Sequence, residues 1–310
     1  MGATMQGKDQ TGQIGVIGLG AMGFGVAKSL LREGFPVGAY DVRAEALTAF
    51  ETEGGRAYTS PAALAASCDI LIIQVVNAEQ TEQVLFGEQG AVNTLKPGSL
   101  LISCATVAPA FIESLETRLR KRDIWLLDAP MSGGAAKAAS GEMTLMTSGP
   151  EEAYARAETV LPAVAGKVYR LGAKVGVGTR VKIVNQHLAG IHIAAAAEAM
   201  ALGLREGADP ATLFEVITNS AGNSWMFENR VPHILAGDYT PLSAVDIFVK
   251  DLGLALDTAR RTKFPLPLAA TAHQMFLNAS AAGHGREDDS AVIKIFPGIT
   301  LPFSDKGEGA

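Results

Sequence analysis

A change of hydrophobic pattern partway along the 310-residue chain constrains the fold more than any other feature. From Gln13 to about Tyr169, short apolar runs of strand length alternate with segments of helical period. After Gly178 no strand pattern recurs, and the periodic segments are all helical. Alternation of this kind predicts a doubly wound parallel sheet, so we expect an α/β domain joined by a long helix to an all-α domain.

The predicted elements follow this division. In the first part we expect strands at residues 14–17, 36–40, 70–76, 100–102, 124–127, 143–146 and 168–169, and helices at 21–32, 44–50, 61–66, 109–120 and from about Pro150. In the second part we expect helices at residues 179–206, 209–218, 225–235, 244–261, 267–281 and 290–295. The predicted domains are therefore 13–176 and 177–303, between loose tails at 1–12 and 304–310.

Composition and charge exclude several classes of protein. Apolar residues make up 48% and charged residues 19%, as in ordinary globular domains. With a net charge of −6 and no basic run, neither nucleic acid nor a membrane surface is an expected partner. The N-terminus lacks the apolar core of a signal peptide. The two cysteines, Cys68 and Cys104, lack metal-ligand spacing, so we expect no metal and a cytoplasmic setting.

A glycine motif directly follows the first predicted strand and opens a helix. The sequence Gly18-Leu19-Gly20-Ala21-Met22-Gly23 has the G-x-G-x-x-G spacing in the context that dinucleotide binding requires. Its glycines permit a tight turn, close approach of a pyrophosphate and close packing of helix on strand. Amides at the helix N-terminus would then bind the phosphates, which predicts a Rossmann domain and a nicotinamide dinucleotide.

An acidic residue at the end of the second strand favours NAD over NADP. Asp41 follows Gly23 by 18 residues, the position from which a carboxylate hydrogen-bonds the adenosine ribose and repels a 2′-phosphate. Arg43 weakens that preference without reversing it.

Two further segments follow later strands. Thr106 comes after the strand at 100–102 and either lies beside the ligand or caps the next helix. Ser132-Gly133-Gly134 follows the strand at 124–127, where successive backbone amides can bind a small anion such as a carboxylate, or merely connect two elements.

The long helix opens with a pair of polar residues. Lys182 and Asn185 are three residues apart and therefore share a helix face just after the glycine pair at 176 and 178. An ammonium beside a carboxamide can transfer a proton and orient a substrate, although most helix lysines are only solvated.

Four motifs in order resemble the β-hydroxyacid dehydrogenase family: Gly18–Gly23, Asp128–Gly134, Gly178–Asn185 and Val249–Leu252. The resemblance implies that Lys182 is the catalytic lysine and that Ser132, Gly133, Gly134 and Asn185 bind the carboxylate and hydroxyl end of a small hydroxy acid. It also implies that Thr106 and Lys250 lie beside the nicotinamide, and that the protein is a homodimer or homotetramer.

The C-terminal half is similar to the branch of the family that oxidises L-threonate, a four-carbon sugar acid. The segments 220–230, 246–251 and 287–294 carry this similarity, and Asn223, Ser224 and Trp225 could meet the polyol tail. Trp225 could equally be a core aromatic. The expected reaction converts the C2 hydroxyl to a ketone with Lys182 as general base, which requires burial to favour its neutral form.

Three alternatives remain open at this point. The substrate could be 3-hydroxyisobutyrate or tartronate semialdehyde, since those enzymes share the first motifs. An imine reductase of the same fold is disfavoured because such enzymes usually lack a lysine at the position of Lys182. A non-catalytic dinucleotide-binding sensor is disfavoured for the same reason.

Overall fold

The computed structural model describes residues 12–302. These residues form two compact units, which divide between Lys182 and Ile183. The predicted boundary between residues 176 and 177 lies at the start of one unbroken helix, whose first residues belong to the first unit, and it stays a prediction. The predicted tails lie outside the described residues, apart from Gly12.

The first unit is built on a six-stranded sheet in which every pairing is parallel, with the order β3-β2-β1-β4-β5-β6. Its strands are β1 (Ile14–Ile17), β2 (Val37–Tyr40), β3 (Arg56–Ala57), β4 (Ile70–Ile73), β5 (Leu100–Ser103) and β6 (Trp125–Asp128). The order reverses between β1 and β4, and ligands bind at such switch points in doubly wound sheets. This confirms the predicted fold class.

Helices cover both faces of this sheet, which is why its strands are nearly continuous apolar runs. Alternate residues face opposite cores: Ile70 and Ile72 of β4 enter one, and Leu71 and Ile73 the other. The helices of the unit are α1 (Ala21–Arg32), α2 (Ala44–Thr52), α3 (Pro61–Ala65), α4 (Ala78–Phe86), α5 (Pro109–Arg120), α6 (Gly134–Ser140), α7 (Glu151–Ala157) and α8 (Leu161–Val164), with a 3₁₀ turn at Ala91–Asn93.

A second, smaller sheet carries the strands that we expected to close the first one. In it β8 (Met143–Thr147) pairs antiparallel with β7 (Met131–Ser132) and parallel with β9 (Ala165–Arg170). An antiparallel bridge between Asp128 and Ser148 joins the end of β6 to the chain after β8. The small sheet therefore places the Ser132 turn beside the carboxyl end of the large one.

The hydrophobic pattern did not predict several short elements, and β4 ends earlier than predicted. The chain leaves β4 after Ile73, and α4 begins at Ala78 with Asn77 as its N-cap, accepting from the amide of Gln80 at 2.8 Å. Asparagine before a helix is a start signal that could have revealed α4. The other missed elements are too short to show a period: β3, β7, α6 and α8.

The second unit is helical, as predicted. It begins within α9 (Val177–Arg205), of which the part from Ile183 onward belongs to this unit. The elements that follow are α10 (Pro210–Thr218), α11 (Trp225–Ala236), α12 (Val245–Arg261), α13 (Pro267–Ala279), a π-helical turn at Ser280–His284 and a 3₁₀ helix at Asp289–Ile295. Its core is formed by small and large apolar side chains from α9, α11, α12, α13 and the 3₁₀ helix, and α10 packs against it from outside. Arg230 and the fully buried Asp289 form an ion pair within this core.

The long helix α9 is the one element in residues 12–302 that is long and apolar enough to cross a membrane by length and composition. This is weak evidence for a span, because Ile193, Ala197 and Met200 of the same helix are buried in the helical core. The cytoplasmic setting expected from the sequence stays a prediction.

Candidate active site

The glycine motif forms the turn between β1 and α1, as its context predicted. A Cβ on Gly23 would collide with the carbonyl oxygen of Gly18, so only glycine fits there. A Cβ on Gly20 would meet no protein atom within 4 Å, which leaves open space in front of the N-terminus of the 12-residue α1. Uncommitted amides facing open space fit the pyrophosphate of a dinucleotide. Leu19, Ala21 and Met22 complete this turn.

Asp41 lies directly beside the glycine turn. Its Oδ2 accepts from the backbone N–H of Leu19 at 2.6 Å, and its Oδ1 accepts from the backbone N and Nε of Arg43 at 2.9 and 3.0 Å. Burial alone would raise the pKa of Asp41, but the hydrogen bonds from Arg43 and Leu19 outweigh it and lower that pKa. Arg43 also donates to the carbonyl of Leu19 at 3.0 Å, while its side chain stays 49% exposed.

Ser132, Gly133 and Gly134 form the turn from β7 into α6. Gly133 and Gly134 have φ angles of 142° and 78°, which other residues rarely adopt. A Cβ on Gly134 would meet no atom within 4 Å, so the turn has room for a ligand on that side. Ser132 is half-buried and pairs with Thr144 of β8.

Thr106 lies in the loop between β5 and α5, at the carboxyl edge of the sheet. The suggestion that Thr106 caps the next helix is wrong, because α5 starts at Pro109 and its N-cap is Ala108. Proline favours the first position of a helix, so α5 begins at Pro109 and its N-cap lies two residues beyond Thr106. The hydroxyl of Thr106 is therefore not at the position that caps this helix.

The start of α9 is held by Asp128, a residue to which the sequence assigned no role of its own. Oδ2 of Asp128 accepts from Ser148 Oγ at 3.0 Å and from the amides of Gly176 at 3.0 Å and Thr179 at 2.9 Å, and Oδ1 accepts from Thr179 Oγ1 at 2.7 Å. Burial raises the pKa of Asp128, and these four donors offset part of that rise. A carboxylate on the exposed amides of a helix N-terminus fixes the first turn of that helix.

Lys182 and Asn185 both lie on α9, one turn apart, as the spacing predicted. Lys182 lies one turn beyond Thr179 and is only 6% exposed, so it is not a solvated surface lysine. Asn185, in the second unit, is half-buried, and its Nδ2 donates to Gln186 Oε1 at 3.0 Å.

Within the second unit a buried carboxylate connects Asn185 to Lys250. Asp251, only 2% exposed, accepts at Oδ2 from Gln186 Nε2 at 2.6 Å and at Oδ1 from Lys250 Nζ at 2.5 Å. Neither Gln186 nor Asp251 was predicted as a site residue. They lie 65 positions apart, and no spacing rule connects them.

The residues expected at the polyol tail occupy a different part of the second unit. Asn223 and Ser224 line a cavity of about 350 Å³ together with His192 of α9. His192 lies seven residues beyond Asn185, or about 10 Å along the helix axis. That distance exceeds the length of a four-carbon chain, whose bonds are about 1.5 Å each. Asn223 and Ser224 therefore share a cavity with a part of α9 about two turns beyond Asn185.

Asn223 and Ser224 also form hydrogen bonds with neighbouring residues of the chain. Ser224 is the N-cap of α11 and accepts from the amide of Phe227 at 3.0 Å, and Asn223 donates to Glu228 at 2.5 Å. Trp225 is 57% exposed, so its reading as a core aromatic is wrong: the first turn of α11 points it away from the helical core. Their contact with a substrate stays a prediction.

Within residues 12–302, no group of three or more His, Cys, Asp or Glu could hold a metal ion. The groups described above instead offer amides, one buried lysine and carboxamides. In the first unit the amides can bind phosphates and a carboxylate and the lysine can accept a proton, and in the second unit a carboxamide can orient a hydroxyl.

Comparison with known families and proteins covers nearly the whole chain. A model described as the NAD binding domain of 6-phosphogluconate dehydrogenase matches residues 13–172. A second, described as the NAD-binding region of NADP-dependent 3-hydroxyisobutyrate dehydrogenase, matches residues 176–296.

Individual relatives are similar over almost their full length. L-threonate dehydrogenase of Cupriavidus necator is 70% identical over 93% of this chain and 97% of that protein. L-threonate dehydrogenase of Escherichia coli is 54% identical over 93% of this chain and 96% of that protein. A crystal structure described as 3-hydroxyisobutyrate dehydrogenase from Salmonella typhimurium is 52% identical, with a TM-score of 0.88 over 92% of this chain and 99% of that one.

Proposed function

Because this chain belongs to the β-hydroxyacid dehydrogenase family, whose members are NAD(P)-dependent dehydrogenases acting on CH–OH groups, we propose that it oxidises L-threonate at C2 to the 2-oxo acid. The family expected from the motifs and the class of enzyme are thereby confirmed. One observation carries the choice of substrate: five relatives that are 49–70% identical over at least 93% of this chain are all L-threonate dehydrogenases.

In the proposed reaction each residue has one task. The amides of Ser132, Gly133 and Gly134 bind the substrate carboxylate, and Asn185 orients the C2 hydroxyl. Nζ of Lys182 accepts the hydroxyl proton, since burial disfavours the charged form of an amine and the neutral form is the base. A nicotinamide dinucleotide held by the glycine turn at Gly18–Gly23 would supply the hydride acceptor for C2. Once protonated, Lys182 stabilises negative charge on the substrate oxygen.

We propose that NAD is preferred over NADP. The carboxylate of Asp41 lies beside the glycine turn, where it would accept from the ribose hydroxyls and repel a 2′-phosphate. Arg43 already donates to both oxygens of this carboxylate, which partly neutralises the cation that a phosphate would need. Thr106 and Lys250 are the residues that we place beside the nicotinamide.

We propose that the protein acts as a homodimer or homotetramer. The observation in favour is that large apolar side chains of α9 remain exposed within the second unit: Val184, Leu188 and Leu202 are 61%, 49% and 63% exposed. A second copy of the chain packed against these side chains would remove their apolar surface from water.

The direct test measures NADH formation by the purified protein with NAD and a panel of acids: L-threonate, D-threonate, D-erythronate, D-glycerate and 3-hydroxyisobutyrate. We expect strong turnover of L-threonate alone. The 52% identical structure described as 3-hydroxyisobutyrate dehydrogenase favours the second candidate, and turnover of that acid without L-threonate would establish it. Binding of NAD with no turnover of any acid would favour a sensor.

Replacing the proposed base tests the mechanism itself. Lys182→Ala should lower kcat by about 10² to 10⁴, the usual contribution of a general base, while the Kd for NADH stays nearly unchanged. Lys174→Ala is the matched control, because Lys174 is exposed and lies eight residues earlier in the chain. Near-normal turnover by Lys182→Ala would remove Lys182 from the mechanism.

A further inference from the structure

A chain of four side chains in the second unit runs from Lys250 to Asn185. Lys250 Nζ donates to Asp251 Oδ1, Gln186 Nε2 donates to Asp251 Oδ2, and Asn185 Nδ2 donates to Gln186 Oε1. The distances are 2.5, 2.6 and 3.0 Å, and both middle members are at least nine-tenths buried. The chain ends at the carboxamide that we propose orients the substrate hydroxyl.

The carboxylate at the centre of this chain determines which way the two amides face. An ionised carboxylate can only accept hydrogen bonds, so Asp251 requires Gln186 to present its NH₂ group. The carbonyl oxygen of Gln186 then faces Asn185 and accepts a hydrogen bond from the NH₂ group of Asn185. The oxygen of Asn185, Oδ1, is the atom left at the end of the chain.

We propose that Asp251 and Gln186 are positioning residues that hold Asn185 with Oδ1 towards the substrate, so that Asn185 accepts the hydrogen bond of the hydroxyl next to the reacting one, at C3. This inference rests on the proposed function, in which Asn185 orients the C2 hydroxyl. A substrate held at its C3 hydroxyl cannot rotate freely about the C2–C3 bond, so the position of the C2 oxygen relative to the base is defined, and the C2 hydroxyl keeps its single proton for Lys182. A flipped Asn185 would offer two donors instead and would mispair with the proton of the C3 hydroxyl.

The same carboxylate also restrains Lys250. Because Asp251 accepts from Lys250 at one oxygen and from Gln186 at the other, it links the residue proposed to lie beside the nicotinamide with the residue proposed to bind the substrate. Asp251→Asn should therefore raise KM for both NAD and L-threonate. Gln186→Met should leave the Asp251–Lys250 pair in place and affect only the substrate side.

A double-mutant cycle between Gln186→Met and Asn185→Ala tests the proposal. Methionine keeps the length of glutamine but cannot relay the hydrogen bond. We expect Gln186→Met to lower kcat/KM for L-threonate about tenfold in the otherwise native enzyme, and less than twofold in the Asn185→Ala background, with KM for NAD unchanged in both. Glu198→Gln, an exposed position on the same helix, is the control and should change neither constant.

Equal losses in both backgrounds would overturn the proposal, because Gln186 would then act independently of Asn185. If L-threonate is not the substrate, the cycle is run with whichever acid of the panel is turned over, so that failure of the substrate assignment is distinguishable. Side-chain amide NMR provides a readout without turnover. The NH₂ resonances of Asn185, assigned by their loss in Asn185→Ala, should shift in Gln186→Met, and unchanged resonances would also overturn the proposal.

Discussion

Two carboxylates at the carboxyl edge of the large sheet differ in the kind of donor that the chain gives them. At β1 and β2, Gly20 faces open space, and Asp41 accepts two of its four hydrogen bonds from the side chain of a half-exposed arginine. At β6, the carboxylate of Asp128 is only 1% exposed and accepts four hydrogen bonds from the chain. The pKa of Asp41 is lowered, whereas burial raises that of Asp128.

The difference indicates two kinds of task at one sheet edge. A carboxylate whose arginine partner is solvent-exposed can exchange that partner for a ligand hydroxyl at small cost. A buried carboxylate whose four donors are buried amides and hydroxyls cannot exchange any of them for a ligand, so its effect is to fix the elements that donate to it. We therefore place Asp41 on the cofactor and treat Asp128 as the residue that fixes the start of α9.

Removing Asp128 should produce the largest effect. Asp128→Ala leaves four buried donors without an acceptor, and each such group costs about 1–3 kcal/mol, so the free energy of unfolding should fall by on the order of 3 kcal/mol or more. Turnover should fall too, because the helix start that carries Lys182 loses its anchor. Urea denaturation followed by circular dichroism measures the first effect, and NADH formation the second.

The matched comparison is Asp41→Ala, which should destabilise the protein much less. Thr179→Val removes a single donor to Asp128 and should fall between the two, with a loss of about 1 kcal/mol. If Asp41→Ala is as destabilising as Asp128→Ala, the contrast between an exposed, exchangeable donor and four buried donors is wrong.

The two glycines of the cofactor turn should separate stability from affinity. Gly23→Ala places a methyl group on the carbonyl oxygen of Gly18 and should destabilise the protein by about 2 kcal/mol, as strained close contacts do. Gly20→Ala meets no protein atom, so the stability should change by less than about 0.5 kcal/mol, while the Kd for NADH rises about tenfold through collision with the cofactor. Fluorescence titration with NADH measures the affinity. Undiminished affinity in Gly20→Ala would mean that the pyrophosphate does not approach that position.

The sequence predicts the glycine turn and Asp41 better than it predicts the contacts of Asp128. Gly18, Gly23 and Asp41 are visible because a dinucleotide imposes a local spacing on one βαβ unit. Asp128, by contrast, meets Thr179 across 51 positions, a contact that only the folded chain creates. Helical spacing places Lys182 and Asn185 on one face and the family resemblance supplies their roles, but periodicity cannot show which buried side chains meet them.

The same limit applies to short elements. The two residues of β7 carry no period of their own, and they become a strand only because Met131 and Ser132 pair with β8. The helix after Asn77 had a local signal, but its first turn is polar and its apolar face is narrow.

Replacing the carboxylate of Asp41 should have a small effect on stability and the clearest one on cofactor choice. Since the folded-state pKa of Asp41 lies below its ordinary value, its contribution to stability is present above that ordinary value and is lost as the pH falls through the folded pKa. The difference in unfolding free energy between the native protein and Asp41→Asn should therefore be full at neutral pH and shrink as the pH drops below about 4. Urea midpoints across this range measure it.

Cofactor choice provides the second readout for Asp41→Asn. Loss of the negative charge frees the guanidinium of Arg43 to meet a 2′-phosphate, so the ratio of kcat/KM with NAD to that with NADP should fall about tenfold, as for one charge-assisted contact. Arg43→Ala is the opposing control, because it removes the cation while Asp41 keeps its charge, and it should raise the same ratio. If both variants leave the ratio unchanged, neither side chain contacts the ribose. The first unit would then bind this part of the cofactor through the glycine turn alone.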